Sequence, residues 1–153
     1  MVMRDPRPSS AERPDDGPLY RLYQRRLRRQ IDPARVPHHV AVIVDGNRRW
    51  AKLRLQERAA FGHRAGARKV PEFLGWCQDA DVQVVTLYLL SSDNLTGRDS
   101  AELEELFGII ADLAEVLGEQ PDRRIQHVGS ADGQPYSLCT ATQRAEESTQ
   151  DHT

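Results

Sequence analysis

Two stretches of the sequence pass directly from apolar residues into side chains that can do chemistry. Residues 39–52 read HVAVIVDGNRRWAK, in which an apolar run meets an aspartate, a glycine, an asparagine and two arginines. Residues 82–94 read VQVVTLYLLSSDN, in which a second apolar run meets two serines, an aspartate and an asparagine. Ligands of open α/β sheets bind at the carboxyl ends of the strands. Two polar strand ends therefore predict a single site to which both contribute.

The first stretch has the chemistry of a diphosphate site. Gly46 lets the backbone approach a ligand closely, and the N–H groups of residues 46–49 can point outward at the start of a helix. Arg48 and Arg49 can hold phosphate oxygens through their guanidinium groups. Asp45 would repel a phosphate unless a divalent cation lay between them, which implies Mg²⁺. An Asx turn in which Asp45 caps the helix explains the same residues, and the local sequence leaves both interpretations open.

The common phosphate-binding signatures do not occur in this sequence. There is no G-x-x-x-x-G-K-[ST] and no G-x-G-x-x-G. Asp15 and Asp16 are followed by GPLY and do not form a DDxxD motif. Cys77 and Cys139 have the spacing neither of a zinc site nor of a disulfide framework. These signatures therefore do not explain residues 45–49.

Apolar periodicity predicts alternating strands and helices that would position these side chains. Continuous apolar runs predict strands covered on both faces, and apolar residues three or four apart predict amphipathic helices. Pro71 should kink its helix or delay the start of it, and Asp99 or Ser100 should cap the next helix, with Glu102 available for a capping box. The predicted elements are, in order, strand Val40–Val44, a helix over 47–55, helix Gly62–Ala80, strand Val82–Leu90, a helix carrying Leu103–Leu117, strand Ile125–Val128 and a helix from Pro135 to about Ser148. This order predicts an α/β fold with a parallel sheet flanked by helices.

The chain of 153 residues is predicted to be one domain with a polar N-terminal extension. Residues 1–18 are rich in proline, serine and charge, and we expect a disordered tail. Residues 19–35 would form a basic helix and a linker, and residues 36–153 the α/β fold. No signal peptide or apolar spanning stretch is readable, which favours the cytoplasm. Three strands make a thin sheet and no further element follows ESTQDHT, so we expect the fold to be incomplete at the C-terminus.

The basic segment LYRLYQRRLRRQI, residues 19–31, holds five arginines and no acid. A helix here would align Tyr20, Tyr23, Leu27 and Ile31 in one stripe. Such a helix is either solvated and packed through its stripe, or in contact with anionic lipid at a membrane surface. We expect no nucleic-acid partner, because the net charge of the chain is −2 and the chain as a whole is not basic.

Three motifs, in this order, resemble the cis-prenyltransferase family, which includes undecaprenyl diphosphate synthase. They are HVAVIVDGNRRWAK at 39–52, FGHRAG at 61–66 and LYLLSSDNL at 87–95. The resemblance covers about residues 36–153, and the third motif is similar to that of the short-chain (Z)-farnesyl diphosphate synthases of actinobacteria. It implies an α/β fold, unlike the all-helical trans-type enzymes. It also implies a Mg²⁺-dependent homodimer that condenses isopentenyl diphosphate with an allylic diphosphate such as geranyl or farnesyl diphosphate.

The resemblance implies a role for each matching residue. Asp45 would be the catalytic and metal-binding carboxylate, and Asn94 the proton acceptor. Leu95 stands where the family usually has tryptophan. Arg58 follows a stretch one residue longer than in most members, so it either contacts diphosphate or is a solvated charge. The residues implied to bind substrate are Gly46, Asn47, Arg48, Arg49, Trp50, Arg58, His63, Ser91, Ser92, Asp93, Leu95 and Arg98.

The family's isopentenyl diphosphate segments, and much of its dimer interface, correspond to sequence beyond Thr153. We therefore expect the allylic half-site to be present and the homoallylic half-site to be missing. Two hypotheses follow from the resemblance. The chain is an active cis-prenyl diphosphate synthase, or it is a truncated, non-catalytic or partner-dependent homologue that retains only the allylic half-site. In both, the apolar strands and the leucine-rich helix would wall a groove for the hydrocarbon tail.

Overall fold

The computed structural model describes residues 17–56, 58–91, 95, 97 and 99–152. Most of the predicted N-terminal tail, residues 1–16, lies outside this set. The elements, in chain order, are helix α1 Pro18–Gln30, a short 3-10 helix Pro33–Arg35, strand β1 His39–Ile43, helix α2 Asn47–Leu53, helix α3 Ala59–Asp79, strand β2 Val84–Tyr88, helix α4 Ser100–Gly118 and helix α5 Tyr136–Thr149. Within these ranges, no helix combines the length and apolar character needed to cross a membrane.

The two strands pair in parallel, as the strand–helix–strand order predicts. His39 lies opposite Val84, and Ile43 lies opposite Tyr88. The pairing continues past β1, because the Val44 N–H donates a hydrogen bond of 3.2 Å to the Tyr88 carbonyl. Both strands therefore end at the same edge of the sheet, and both polar stretches leave from that edge. The predicted α/β fold with a parallel sheet and flanking helices is confirmed.

The sheet is covered on one face, and the prediction that its strands are covered on both faces is wrong for the described part of the chain. Burial alternates along both strands. Val85 and Leu87 pack against the core formed by α3 and α4. On the opposite face Ile43 is 72% exposed and Tyr88 is 51% exposed. An unbroken apolar run does not show which of its side chains finds a neighbour, because successive residues point to opposite faces.

Helices α3 and α4 supply the core that supports the sheet. Val70 and Leu74 on α3 meet Leu113 and Leu117 on α4, and all four are buried. A second cluster joins α4 to α5 through Leu138, which packs with buried residues Leu106, Phe107 and Ile110. The apolar faces predicted for the two long helices are therefore confirmed. Removing such buried apolar side chains from water contributes about 1.5–3 kcal/mol each.

Two further expectations about the helices differ from the structure. Helix α3 begins at Ala59 and runs through Pro71, so the later start expected at the proline is wrong. The early start follows from tight packing of the first turns of α3 against α2, which is described below. Helix α4 is capped by Asp99, whose carboxylate accepts a hydrogen bond of 2.9 Å from the Ala101 N–H. The predicted cap is thus confirmed, and it fixes where Glu102 projects in the first turn.

The predicted third strand, Ile125–Val128, is wrong. These residues have no regular secondary structure. The Ile125 N–H donates to the Thr149 hydroxyl at 2.9 Å, and the His127 N–H donates to the Glu146 carboxylate. Side chains of α5 thus take the amide hydrogens that a strand would offer to a neighbouring strand. The segment is held alongside α5, and the described sheet has two strands.

We expect Thr149→Val to lower the free energy of unfolding by about 1–3 kcal/mol, because it leaves the Ile125 N–H without its acceptor. Thr149 is fully buried, and its hydroxyl also donates to the Ala145 carbonyl at 2.7 Å. Thr140→Val is the matched control. Its exposed hydroxyl donates only to the Tyr136 carbonyl of its own helix, so a change within about 0.5 kcal/mol is expected. Urea unfolding of both variants measures the difference, and equal effects would contradict the role given to Thr149.

Candidate functional site

The end of β1 forms a tight turn around Gly46. Gly46 has φ +86°, a left-handed conformation that favours glycine. Its N–H donates to the Asp45 carboxylate at 2.5 Å, and its carbonyl accepts the Trp50 N–H at 2.9 Å, which begins α2. The N-cap residue of α2 is Gly46, and no side chain caps the helix. The interpretation of Asp45 as the helix cap is therefore wrong, and the carboxylate bonds to the turn while remaining exposed.

Asn47 is clamped between the turn and helix α3. Its Nδ2 donates to the Val44 carbonyl at 3.4 Å. A Cβ atom added at Gly62 would lie 2.7 Å from the Asn47 carbonyl carbon and closer still to its oxygen. A Cβ added at Gly66 would lie 2.5 Å from the Asn47 side-chain oxygen. Residues 62 and 66 lie on one face of α3, so this glycine face seats α2 against α3.

The sequence analysis did not identify Gly62 and Gly66 as site residues. They belong to the FGHRAG motif, in which only the histidine was given a role. The spacing of four residues was the available signal, because two glycines on one helical face permit close approach of another backbone. Their positioning effect on Asn47 makes them part of the site.

The arginines that follow Gly46 differ in their partners. Arg48 Nε lies 3.9 Å from a carboxylate oxygen of Glu102 in the first turn of α4. Arg49 is exposed and makes no ion pair or side-chain hydrogen bond anywhere in the part of the chain that the structure describes. Arg58, which precedes α3, forms an ion pair with Glu105 of α4. Arg49 is therefore the arginine of this turn that is most available to a ligand.

His63 is buried beside the same end of α4. It is 8% exposed, and its Nε2 lies 3.5 Å from a carboxylate oxygen of Glu102. Glu102 therefore faces both His63 and Arg48, and Glu105 faces Arg58 one turn later. From the sequence, Glu102 was assigned only a capping role, and Glu105 was assigned none. Their spacing of three residues, which places both on one side of α4, was the signal that could have identified them.

The second polar strand end is described only in part. Ser91 is half-buried and follows β2 by three residues. Leu95 packs against the cluster that joins α4 and α5. The remaining residues predicted for this end, Ser92, Asp93, Asn94 and Arg98, lie outside the described residues. Their proposed roles, including that of Asn94 as proton acceptor, stay predictions.

A narrow cleft opens beside Asn47 and His63 and continues between α3 and α4. Apart from these two residues its lining is apolar, and it includes Val44, Ala67, Val70, Leu89, Leu106, Ile109, Ile110 and Leu113. Its volume is about 40 Å³. A single water-sized sphere takes roughly 10–15 Å³ on this scale, so a long hydrocarbon would enter only if α3 and α4 moved apart.

Trp50 lies on the outer side of α2. Its ring stacks on that of Phe61 with centroids 5.7 Å apart and an interplanar angle of 11°. The Arg54 guanidinium lies over the Trp50 ring at 5.3 Å. The ring is 38% exposed. These contacts fix the start of α3 against α2. Trp50 therefore contributes to the site by joining these two helices.

Asp45 is the exposed carboxylate at the Gly46 turn. Among the described residues, no three His, Cys, Asp or Glu side chains are grouped as an all-protein metal site would require. Both cysteines are free thiols. Burial raises the pKa of the Cys77 thiol above its usual value, against the opposing charge of Arg123. Cys77 is therefore protonated at neutral pH, and it is a core residue instead of a metal ligand or nucleophile.

Comparison with known proteins matches the chain to one enzyme family. Residues 43–153 match the sequence profile of undecaprenyl diphosphate synthase within the prenyltransferases. An isoprenyl transferase of Streptomyces avermitilis is 48% identical over 131 residues, which cover 86% of this chain and 50% of that protein. The (2Z,6E)-farnesyl diphosphate synthase of Thermobifida fusca is 49% identical over 128 residues, covering 84% of this chain and 50% of that protein.

A third relative has the same name as the Thermobifida protein. The (2Z,6E)-farnesyl diphosphate synthase of Mycobacterium tuberculosis is 40% identical over 129 residues, which cover 71% of this chain and 49% of that protein. The chain thus spans about half the length of the curated relatives it matches. The matched half includes the Gly46 turn, the glycine face of α3 and the cleft.

Proposed function

Because the chain belongs to the undecaprenyl diphosphate synthase family of prenyltransferases, we propose that it carries the allylic diphosphate site of a cis-prenyl diphosphate synthase. Such an enzyme condenses isopentenyl diphosphate with an allylic diphosphate such as geranyl or farnesyl diphosphate. The single observation that carries the proposal is the Gly46 turn. There the end of a parallel strand, an available arginine and an apolar cleft meet at one edge of the sheet.

The turn has the donors that a diphosphate needs. Arg49 supplies a guanidinium without a protein partner among the described residues, and Arg48 supplies a second one that the distant contact with Glu102 at 3.9 Å holds only weakly. The first-turn N–H groups of α2 add donors, since no side chain caps this helix. Departure of diphosphate leaves negative charge on its oxygens, and donors already in place stabilise that charge without reorganisation.

Asp45 fits Mg²⁺ that is shared between protein and substrate. Mg²⁺ commonly binds through one or two carboxylates together with substrate phosphates and water, and Asp45 offers one exposed carboxylate at the mouth of the turn. When bound, the ion would supply positive charge to the leaving diphosphate. Asp45 itself holds the turn through the Gly46 N–H, so its position is fixed before any ligand binds.

The cleft would receive the hydrocarbon part of the allylic substrate. Its two polar residues, Asn47 and His63, lie at the end near the turn, and its apolar lining extends between α3 and α4. Ion pairs hold α4 across this region, from Arg58 to Glu105 and from Arg64 to Asp112, the latter at 3.9 Å. We infer that the cleft widens on substrate binding, with phosphate oxygens replacing the α4 carboxylates as partners of the arginines.

A second candidate function is a partner-dependent or non-catalytic protein that binds allylic diphosphate without condensing it. The matched residues span about half of the curated relatives. Isopentenyl diphosphate as second substrate and the family's homodimer remain proposals for the same reason. Both candidates require the same allylic diphosphate site, so binding and turnover have to be measured separately.

We expect the chain to bind farnesyl or geranyl diphosphate, and Arg49→Gln to weaken that binding about 10-fold or more, because a charge-assisted hydrogen bond is lost. Arg144→Gln, an exposed arginine on α5, is the matched control and should bind normally. Isothermal titration calorimetry gives both affinities. Incorporation of radiolabelled isopentenyl diphosphate, with Mg²⁺ and each primer, then separates the two candidates. Binding without incorporation supports the second, and absence of allylic diphosphate binding contradicts both.

A further inference from the structure

Helix α1 presents an apolar stripe that the rest of the described chain leaves uncovered. Leu19, Tyr23 and Leu27 are four residues apart and lie on one side of the helix. Leu19 is 80% exposed, Tyr23 57% and Leu27 42%. None of the residues in this 13-residue helix is buried. Of the stripe predicted from the sequence, Tyr20 is half-buried, whereas Tyr23, Leu27 and Ile31 are exposed in the described chain.

The helix is nevertheless attached to the fold. Arg28 Nη2 lies 3.2 Å from the Asp79 carboxylate and donates to the Asp79 carbonyl at 3.3 Å, at the last residue of α3. Tyr20 and Gln24, one and two turns before Arg28, are half-buried. Residues 20, 24 and 28 share one side of α1, which adjoins the side that carries the stripe. The attachment thus holds α1 through a neighbouring side and leaves the stripe exposed.

The charge around the stripe indicates its partner. The helix contains five arginines and no acidic residue, and all five arginines are exposed. Arg26 follows Tyr23 by three residues and therefore lies beside the stripe, with Arg29 the next nearest arginine around the helix. Arg26 can reach anionic groups while the stripe enters an apolar layer. We propose that α1 binds the surface of a membrane that contains anionic lipid, with its axis in the plane of the interface.

Other partners fit the helix less well. A nucleic acid would engage the arginines and leave the apolar stripe in water. A second copy of the chain, packed stripe to stripe, would bring two arginine clusters together without acidic residues on α1 to offset them. An anionic lipid surface satisfies the two features at once.

If the cleft has the proposed function, the position of α1 also indicates which end of the cleft faces the membrane. Helix α3 has 21 residues and is about 30 Å long at 1.5 Å per residue. It starts beside the Gly46 turn and ends at Asp79, where α1 is attached. The lining of the cleft proceeds along α3 from His63 to Val70. The membrane surface would therefore lie at the hydrocarbon end of the site, and the diphosphate would face away from it.

Cosedimentation of the chain with vesicles tests the proposal without any substrate, so its outcome is independent of the proposed function. Neutral vesicles of phosphatidylcholine are compared with vesicles in which part of the phosphatidylcholine is replaced by anionic phosphatidylglycerol. We expect binding to the anionic vesicles only, and a loss of binding as salt rises. Arg26→Gln/Arg29→Gln should lower the partition coefficient about 30-fold, at about fivefold for each arginine. Arg124→Gln/Arg144→Gln, which removes the same charge elsewhere, should leave it unchanged.

A second variant separates insertion of the stripe from simple charge attraction. Tyr23→Gln/Leu27→Gln should weaken binding at every salt concentration, and circular dichroism should show that the helix content is unchanged. Equal binding to neutral and anionic vesicles, or equal losses in the two arginine pairs, would overturn the proposal. So would a dimer in analytical ultracentrifugation that Tyr23→Gln/Leu27→Gln dissociates, or tighter binding of duplex DNA than of anionic vesicles at the same salt concentration.

Discussion

Gly62→Ala is expected to lower the free energy of unfolding by about 1–3 kcal/mol, because the new methyl group would overlap the backbone of Asn47. The added Cβ would lie 2.7 Å from the Asn47 carbonyl carbon and 3.2 Å from the Ala51 Cβ. A flexible side chain could rotate away from such an overlap, but a backbone carbonyl in the first turn of α2 moves only with its helix. The substitution therefore forces α2 off α3.

The same helix offers the control for this experiment. A Cβ added at Gly75 meets no atom within 4 Å, and alanine has a higher helix propensity than glycine by about 1 kcal/mol. We expect Gly75→Ala to raise the free energy of unfolding by about 0.5–1 kcal/mol. Urea unfolding should therefore show changes of opposite sign in the free energy of unfolding for the same glycine-to-alanine substitution at the two positions. If Gly62→Ala stabilises the chain as Gly75→Ala does, then α2 is not seated on the glycine face.

Gly66→Ala connects the packing of α3 to the site. Its added Cβ would lie 2.5 Å from the Asn47 side-chain oxygen, which can rotate at less cost than a backbone carbonyl. The structural effect is therefore smaller than at Gly62, and the displaced atom is the Asn47 side chain itself. Asn47 faces the cleft beside His63. Gly62→Ala is thus expected to act mainly on stability, whereas Gly66→Ala is expected to act mainly on diphosphate affinity.

Sequence periodicity predicted the parts of the fold that depend on residues close together in the sequence. The buried faces of α3 and α4 follow from apolar residues three and four apart, and the parallel pairing of β1 and β2 follows from the helix between them. Residues 125–128 were misassigned because a short apolar stretch looks the same whether a strand or a helix accepts its hydrogen bonds. Thr149 and Glu146, about twenty residues later, determine the outcome.

In the candidate site, too, contacts between residues distant in the sequence could not be predicted. Adjacent residues left open whether Asp45 caps the helix in an Asx turn, and the structure shows instead that Gly46, with a positive φ, precedes the first residue of α2. The carboxylates of Glu102 and Glu105 face this region from a helix more than fifty residues away in sequence. Local pattern could not assign them partners, since an acidic first turn is also what helix capping favours.

Asp45→Asn is expected to abolish the effect of Mg²⁺ on allylic diphosphate binding. In the unmodified chain the proposed ion would lie between carboxylate and phosphate, so Mg²⁺ should raise the affinity for farnesyl diphosphate by about 5–150-fold, the usual range of coupling between two ligands. Asparagine keeps the size of the side chain and removes its charge. Product formation by a chain that turns over should fall by about 10²–10³-fold, as for loss of other groups that stabilise developing charge.

The affinity of Asp45→Asn for farnesyl diphosphate without Mg²⁺ distinguishes loss of the proposed metal ligand from a structural defect. Without Mg²⁺ the Asp45 carboxylate repels the diphosphate, so Asp45→Asn should bind farnesyl diphosphate as tightly as the unmodified chain or more tightly. A merely structural defect would weaken binding in both conditions, because the carboxylate also holds the Gly46 N–H. Asp122→Asn, in the turn after α4, is the charge-matched control and should retain the Mg²⁺ effect. A Mg²⁺ effect that survives in Asp45→Asn would place the metal on other residues, and calorimetry with and without the ion distinguishes the two results.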